Sequence, residues 1–223
     1  MASKILHDEL PDQLPDVASQ IARRRVAERE TEVAAEVRRL MKGAQVVFRR
    51  CGTKESPRVA DILAEVGMSN DAFYRHFKSK DELVGAIIED GSRRMCAAIG
   101  TRMAVVATPQ ERVALLVRTI LGIVVDPTAS ENLRVLTWNG ARTADDTTRR
   151  LVARSSLAQL LVQPMRDLGS AQPERDAHSV CDTALGRLEH FMWRRESPTA
   201  DDIEHVVNFC LRAISPAALH TKA

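Results

Sequence analysis

The chain has 223 residues, enough for a small domain and a larger one, and only 4% of them are aromatic. Its 32 basic and 30 acidic residues give a formal net charge of +2. This balance argues against a protein that binds nucleic acid with its whole surface, so any such function must come from a local cluster of charge.

Residues 1–30 are predicted to form an N-terminal extension that is partly mobile. Residues 7–20 contain two prolines and four acidic residues and have no sustained helical period. The cluster Arg23-Arg24-Arg25 follows, and it has two interpretations. It can reach into a DNA minor groove as a basic arm, or it can pair with Glu28 and Glu30 along a helix.

A short helix is predicted after residue 55. Ser56 is a suitable N-cap and Pro57 suits the first turn, where its missing N–H costs nothing. Gly67 ends the helix, because this kind of stop needs a positive φ that glycine adopts without strain. The residues expected to face inward are Val59, Ile62 and Leu63.

A second helix follows the glycine turn and has the length expected of a recognition helix. Ser69 is its N-cap and Phe77 its last residue, and Phe73 and Phe77 share one face that packs inward. The outward residues are Asn70, Asp71, Tyr74, Arg75 and His76. Ser79 and Glu82 form a capping box for a third helix, with Lys80 in its first turn. Two short helices at this spacing are typical of a helix-turn-helix, which predicts DNA binding.

Charge is concentrated around this motif. Residues 38–80 contain ten basic and four acidic side chains, whereas residues 81–223 contain 17 basic and 18 acidic ones. A basic head on a neutral body favours phosphate binding by the head alone. Charge by itself also fits an ordinary solvated face, and only the motif favours the DNA-binding interpretation.

These motifs resemble the DNA-binding domain of the tetracycline-repressor (TetR) family over residues 38–85. The similar runs are 66–69 (VGMS), 73–77 (FYRHF) and 79–83 (SKDEL), together with Ala44, Phe48 and Gly52. Two features depart from the family pattern. Ala72 stands where the family usually has Thr or Ser, and Asn70-Asp71 replaces the more usual Lys-Gly.

The resemblance implies an all-α fold. It divides the chain into the extension 1–30, a three-helix helix-turn-helix DNA-binding domain at 31–84, a helical effector-binding and dimerisation domain at 85–215, and a tail at 216–223. The implied function is a DNA-binding transcriptional regulator, a homodimeric repressor that a small molecule releases from a palindromic operator. Two-fold symmetry would place the recognition helices about 34 Å apart, one turn of DNA.

Three outward residues are predicted to read bases. The Asn70 amide suits a bidentate contact to adenine, Asp71 can accept from the cytosine amino group, and Arg75 suits guanine or a phosphate.

Four further residues are predicted to contact the DNA backbone. By resemblance to the family, Tyr74, His76 and Lys80 contact phosphates and fix the register, and Arg58 is a further phosphate contact. For Tyr74 the alternative is a core aromatic.

The remaining chain is predicted to be helical. The helix opened by Ser79 should run toward Met103, a second capping box begins at Thr108, and a short helix covers 131–139. Another helix begins near Asp145 and ends at Gly169. Its apolar face is expected to contain Leu151, Ala158, Leu161, Val162, Met165 and Leu168.

The last two helices, at about 173–195 and 199–214, carry apolar stripes. The resemblance to the family implies that these stripes pair with those of a second subunit. Their residues are Val180, Ala184, Leu188, Phe191, Met192, Ile203, Val206, Val207, Cys210 and Ile214.

An effector pocket is implied by the family alone, and a small apolar or amphipathic ligand would suit it. Its candidate lining residues are Leu116, Ile120, Trp138 and Met165, with Arg142 or His178 as a polar anchor. The alternative for each of them is packed core, which is the more common role of such residues.

No catalytic, metal or cofactor site is predicted. The cysteines are scattered without a CxxC pair, as expected of thiols in a reducing compartment, and no Ser, His and Asp grouping occurs. No signal-peptide core and no apolar run of transmembrane length is present, which predicts a cytoplasmic protein without a membrane partner. Two alternatives stay open: a helical enzyme or carrier with no role on DNA, and a regulator that activates or responds to no small molecule.

Overall fold

A computed structural model describes residues 16–140 and 144–214, except for the side chains of 144–150. These residues form helices α1 (Val17–Cys51), α2 (Val59–Val66), α3 (Asn70–His76), α4 (Lys80–Met103), α5 (Pro109–Val125), α6 (Pro127–Gly140), α7 (Ala144–Asp167), α8 (Pro173–Arg194) and α9 (Ala200–Ile214). The described residues contain no strand, and the predicted all-α fold is confirmed.

Residues 38–87, which we call the head, pack around a core of their own. The core includes Phe48 from α1, Ile62 from α2, and Phe73 and Phe77 from the recognition segment. The start of α4 closes the core with Leu83, Val84 and Ile87. Phe73 and Phe77 therefore face inward, as their spacing predicts.

The turn between α2 and α3 also follows the sequence. Gly67 adopts φ 62° and ψ 44°, and its N–H donates to the Leu63 carbonyl. The predicted start of α2 is wrong. The helix begins at Val59, and the Arg58 N–H donates to Asp61 Oδ2 at 2.7 Å. Ser56 does not cap α2, because its hydroxyl is engaged by α6.

Helix α1 is longer than expected. It begins at Val17 and continues unbroken into the head, so the expectation that residues 7–20 lack helix is wrong for 17–20. Residues 7–15 lie outside the described part. Arg24 pairs with Glu28 at 3.1 Å, which agrees with pairing along a helix for that arginine.

The body is a bundle of α5, α7, α8 and α9 with the second half of α4. Helix α5 lies at its centre and buries Val113, Leu116, Val117, Ile120 and Val124, as predicted. Leu151, expected on the inner face of α7, is 61% exposed instead. Helix α6 starts a turn earlier than predicted, because Asp126 Oδ1 accepts the N–H groups of Thr128 and Ala129.

Within the described residues, no single helix has both the length and the apolar composition needed to cross a membrane. Helices α5 and α6 meet these criteria only as a pair, and they are bent by 88° relative to each other.

Candidate DNA-binding surface

Helix α3 buries one apolar face in the head core and exposes a polar face to solvent. Its N-cap is Ser69, whose Oγ accepts the N–H of Ala72 at 3.2 Å. Phe73 is fully buried, whereas Tyr74 is 59% exposed. The two rings meet edge to face with centroids 5.2 Å apart. Tyr74 is therefore not a core aromatic, and its ring packs against the buried ring of Phe73.

The predicted base-reading residues all lie on this open face. Asn70 and Asp71 are exposed on the first turn of α3. Arg75 is 64% exposed, and its Nη2 lies 3.8 Å from Glu36 Oε2, a loose contact. Ala72 is buried, so the position where the family usually has a hydroxyl packs inward here.

His76 has a different environment from its neighbours on α3. Its side chain is only 9% exposed, and Nε2 lies 2.7 Å from Glu36 Oε2. This hydrogen bond, with help from the charges of Arg75 and His76, lowers the pKa of the Glu36 carboxyl, and slight burial opposes the shift. His76 thus joins α3 to α1, and this geometry does not support the predicted phosphate contact.

The two remaining predicted phosphate contacts lie at helix starts. Arg58 is exposed at the N-cap of α2. Lys80 is the first residue of α4, and its Nζ donates to Ser56 Oγ. Backbone N–H groups at a helix start favour an anion, so both lysine and arginine stand where a phosphate is readily bound.

The sequence of the head matches a known family model. Residues 49–87 match the family model of bacterial regulatory proteins of the tetR family. Over these residues the helix-turn-helix is therefore similar to that of the tetR family. The resemblance inferred from the sequence is therefore confirmed over residues 49–87, and this match supports the predicted class of function, a DNA-binding transcriptional regulator. No curated protein matches the chain in sequence.

Solved structures of transcriptional regulators share the fold at low sequence identity. A candidate TetR-family transcriptional regulator from Mesorhizobium loti has a TM-score of 0.61 and 16% identity, covering 82% of this chain and 96% of that one. A transcriptional regulator from Rhodococcus sp. has a TM-score of 0.60 and 17% identity, covering 80% and 95%. FadR from Bacillus subtilis, in complex with stearoyl-CoA, has a TM-score of 0.60 and 14% identity, covering 80% and 97%.

The residues proposed for the effector pocket occupy different environments. Leu116, Ile120 and Met165 are fully buried in the same body core, which agrees with the packed-core alternative for them. His178 is exposed on α8 and Trp138 is half-buried on α6. Arg142 lies outside the described residues.

Cavities occur elsewhere in the body. One of about 150 Å³ lies among α4, α6, α7 and α8. A second of about 490 Å³ adjoins it between α4 and α7, and Ser92 and Ala153 line both. The apolar walls of the first include Ile88, Met95, Leu133, Leu157, Leu188 and Met192.

A polar group lies beside these walls. Arg154 Nη1 donates to Asp182 Oδ1 at 3.1 Å and Nη2 to Glu189 Oε1 at 3.0 Å. Arg154 and Glu189 line the smaller cavity, together with the hydroxyl residues Ser92 and Thr137. Sequence reasoning missed this group, since its members come from four separate helices and share no local pattern.

The apolar stripes of α8 and α9, which were predicted to contact a second subunit, face the interior of their own chain. Most of their residues, including Val180, Leu188 and Val206, are buried in the core of their own chain. The faces of α8 and α9 that remain open carry other apolar side chains, with Trp193 48% and Phe209 52% exposed.

The thiols of Cys181 and Cys210 are expected to be unreactive. Burial raises the pKa of the Cys181 thiol to about 12 and that of Cys210 to about 11, with the Asp182 charge adding to the shift at Cys181. Since the thiolate is the reactive form, neither is suited to redox sensing at neutral pH.

Proposed function

We propose that the protein is a homodimeric transcriptional repressor that binds a palindromic operator in the cytoplasm and leaves it when a small amphipathic molecule binds the body. The observation that carries the proposal is the α3 face. Asn70, Tyr74 and Arg75 project from a helix whose other side is fixed by Phe73 and Phe77. Such a rigid polar face suits the major groove.

Dimerisation is supported by the open face of α8 and α9. Trp193 and Phe209 are large apolar side chains that a single chain leaves about half exposed. Aromatic anchors of this kind are common at the centre of protein interfaces. An open groove of about 410 Å³ on α9, lined by His205, Asn208, Leu211 and Arg212, lies next to Phe209 in the sequence and can receive a partner side chain.

The effector is proposed to bind between α4 and α7. The two adjoining cavities offer mostly apolar walls with hydroxyl and charged groups at one side, as expected for a site that takes an amphipathic ligand. Helix α4 lines both cavities, and its first two turns, which begin at Lys80, belong to the head. A ligand that prefers one position of α4 would therefore change DNA affinity by its differential affinity for the two states.

The test is selection of bound fragments from genomic DNA by the purified protein. We expect a palindromic sequence with half-sites one helical turn apart, bound with the nanomolar affinity typical of specific complexes. Candidate ligands, chosen from the chemistry encoded beside the selected sites, are then titrated into the complex. A ligand that binds without weakening the complex counts against it as the effector, and enrichment of no sequence counts against the repressor.

The main alternative is a helical carrier or enzyme with no role on DNA. It predicts ligand binding or turnover by the body together with DNA affinity that shows no sequence preference. A regulator without a small-molecule effector predicts the palindrome but no ligand that releases it.

A further inference from the structure

A body helix reaches into the head beside Lys80. Val135 on α6 is buried in the head core, and one turn later Asn139 is only 2% exposed. Asn139 Nδ2 donates to the Val135 carbonyl at 2.9 Å within α6. This bond uses one of the two amide N–H donors, and the amide oxygen Oδ1 is an acceptor directed at the head.

That acceptor is used by the segment before α2. Ser56 Oγ donates its hydrogen to Asn139 Oδ1 at 3.2 Å across 83 residues of sequence. Ser56 Oγ also accepts from Lys80 Nζ. A serine hydroxyl has one hydrogen to donate and two lone pairs to accept, so both bonds form at once. Lys80 thus donates a hydrogen bond to Ser56, and Ser56 donates one to Asn139. We call this chain of two hydrogen bonds the relay.

We propose that Asn139 is a positioning residue for DNA binding, which fixes the Ser56 hydroxyl and through it the orientation of the Lys80 ammonium toward a phosphate. The proposal rests on the proposed function, in which Lys80 contacts the DNA backbone. A lysine ammonium has three N–H donors, so the bond to Ser56 leaves two for phosphate oxygens.

The benefit is preorganisation. A free lysine side chain loses much of its rotamer freedom when it binds, which weakens the complex. In this head that freedom is already restricted by a hydroxyl that a buried amide orients. The neighbouring contact of α6, in which buried Arg134 donates from Nη1 to Thr53 Oγ1 at 3.4 Å, leads to no predicted DNA contact and serves as a comparison.

The test compares operator affinity for Ser56→Ala, Ser56→Thr and Asn139→Ala, alone and combined with Lys80→Ala. Ser56→Ala is the sharper variant because Ser56 is exposed and its removal leaves the core intact. We expect Ser56→Ala and Asn139→Ala to weaken binding about fivefold, the factor that corresponds to one ordinary hydrogen bond. Ser56→Thr retains the hydroxyl and should bind the operator with wild-type affinity.

The double variants separate positioning from folding. If Ser56 and Asn139 act through Lys80, their removal has no further effect once Lys80 is alanine. Equal losses with and without Lys80 would overturn the proposal, since they would indicate a general effect on the head. Thr53→Ala, which removes the comparison contact, should change affinity by the same factor with and without Lys80.

A measurement without DNA keeps this proposal distinct from the repressor. Amine labelling of the free protein, followed by mass spectrometry, compares Lys80 with Lys78, an exposed lysine outside the relay. Ser56→Ala should raise labelling at Lys80 by up to about fivefold and leave Lys78 unchanged. Unchanged labelling at Lys80 overturns the relay. Raised labelling in a protein that binds no DNA overturns the repressor and leaves the side-chain relay standing.

Discussion

Nε2 of His76 lies 2.7 Å from Oε2 of Glu36, and this contact ties the last turn of the recognition helix α3 to α1 across 40 residues of sequence. Helix α3 has only seven residues, too few for an isolated helix to be stable in water. Its position therefore depends on such tertiary contacts, together with the burial of Phe73 and Phe77.

The first prediction concerns the pH dependence of this contact. Because the pKa of Glu36 is lowered from its ordinary value of 4.5, its contribution to stability is complete above that value and is lost as pH falls through the folded-state pKa. Glu36→Gln should lower the Tm at neutral pH, and its difference from wild type should shrink below about pH 4.5. Thermal melts at several pH values measure this. A difference that stays constant with pH would contradict the role of the carboxylate.

A second prediction concerns the close approach of α1 and α2. A Cβ added at Gly43 would lie 2.1 Å from Val66 Cγ1, so the short, branched valine would have to move. Gly43→Ala should destabilise the protein by about 1–3 kcal/mol, as other overpacked sites do. Adding Val66→Ala should recover part of the loss, because it removes the clashing methyl.

The matched control is Gly91→Ala on α4, where nothing lies within 4 Å of the added Cβ. It should stabilise the protein by about 0.5–1 kcal/mol through helix propensity. Denaturant unfolding measures all three variants. Equal effects at Gly43 and Gly91 would mean that the α1–α2 contact is looser than described.

A third prediction concerns the subunit interface. Phe209→Glu places a charge at the centre of the proposed contact and should shift the protein from dimer to monomer, because an unpaired charge is costly to bury. Light scattering after size exclusion gives the mass. Val105→Glu is the control, since Val105 is 86% exposed in the loop after α4. A dimer that survives Phe209→Glu would place the interface elsewhere.

The fourth prediction concerns the thiols. With pKa values of about 12 and 11, Cys181 and Cys210 hold almost no thiolate at pH 8, whereas Cys51 is half-buried near the end of α1. Iodoacetamide at about pH 8 should modify Cys51 well before Cys181 or Cys210 in the folded protein. Mass spectrometry of the labelled peptides decides this order. Rapid modification of Cys181 would instead indicate a reactive site.

The recognition segment was predictable because its signals are local. Gly67 ends α2, Ser69 caps α3, and the spacing of Phe73 and Phe77 determines which face is buried. Ser56 misled the prediction because its partner, Asn139, lies on a body helix. His76 resembled its exposed neighbours for the same reason, since the contact with Glu36 has no signature in the local sequence.

The helices of the body were predictable from the sequence, but which of their faces would be buried, exposed or beside a cavity was not. An apolar stripe such as Val180, Ala184 and Leu188 fits the core of one chain as well as a partner subunit, and periodicity cannot distinguish the two. Periodicity also cannot show which buried residues line the smaller cavity of the body. Leu157 and Leu161, one turn apart on α7, are both buried in the body core, yet only Leu157 lines this cavity.

The most direct test of the account is titration of the selected operator with wild-type protein, Tyr74→Ala and Arg75→Ala, at several salt concentrations. Arg102→Ala is the control, an arginine on the body end of α4. If α3 reads the major groove, Arg75→Ala should cost about 1–3 kcal/mol and relax sequence preference, whereas Tyr74→Ala should weaken binding to all sequences. Arg102→Ala should bind like wild type. Equal affinity of all four proteins, with no preference for the operator, would contradict the assignment of α3 as the recognition helix.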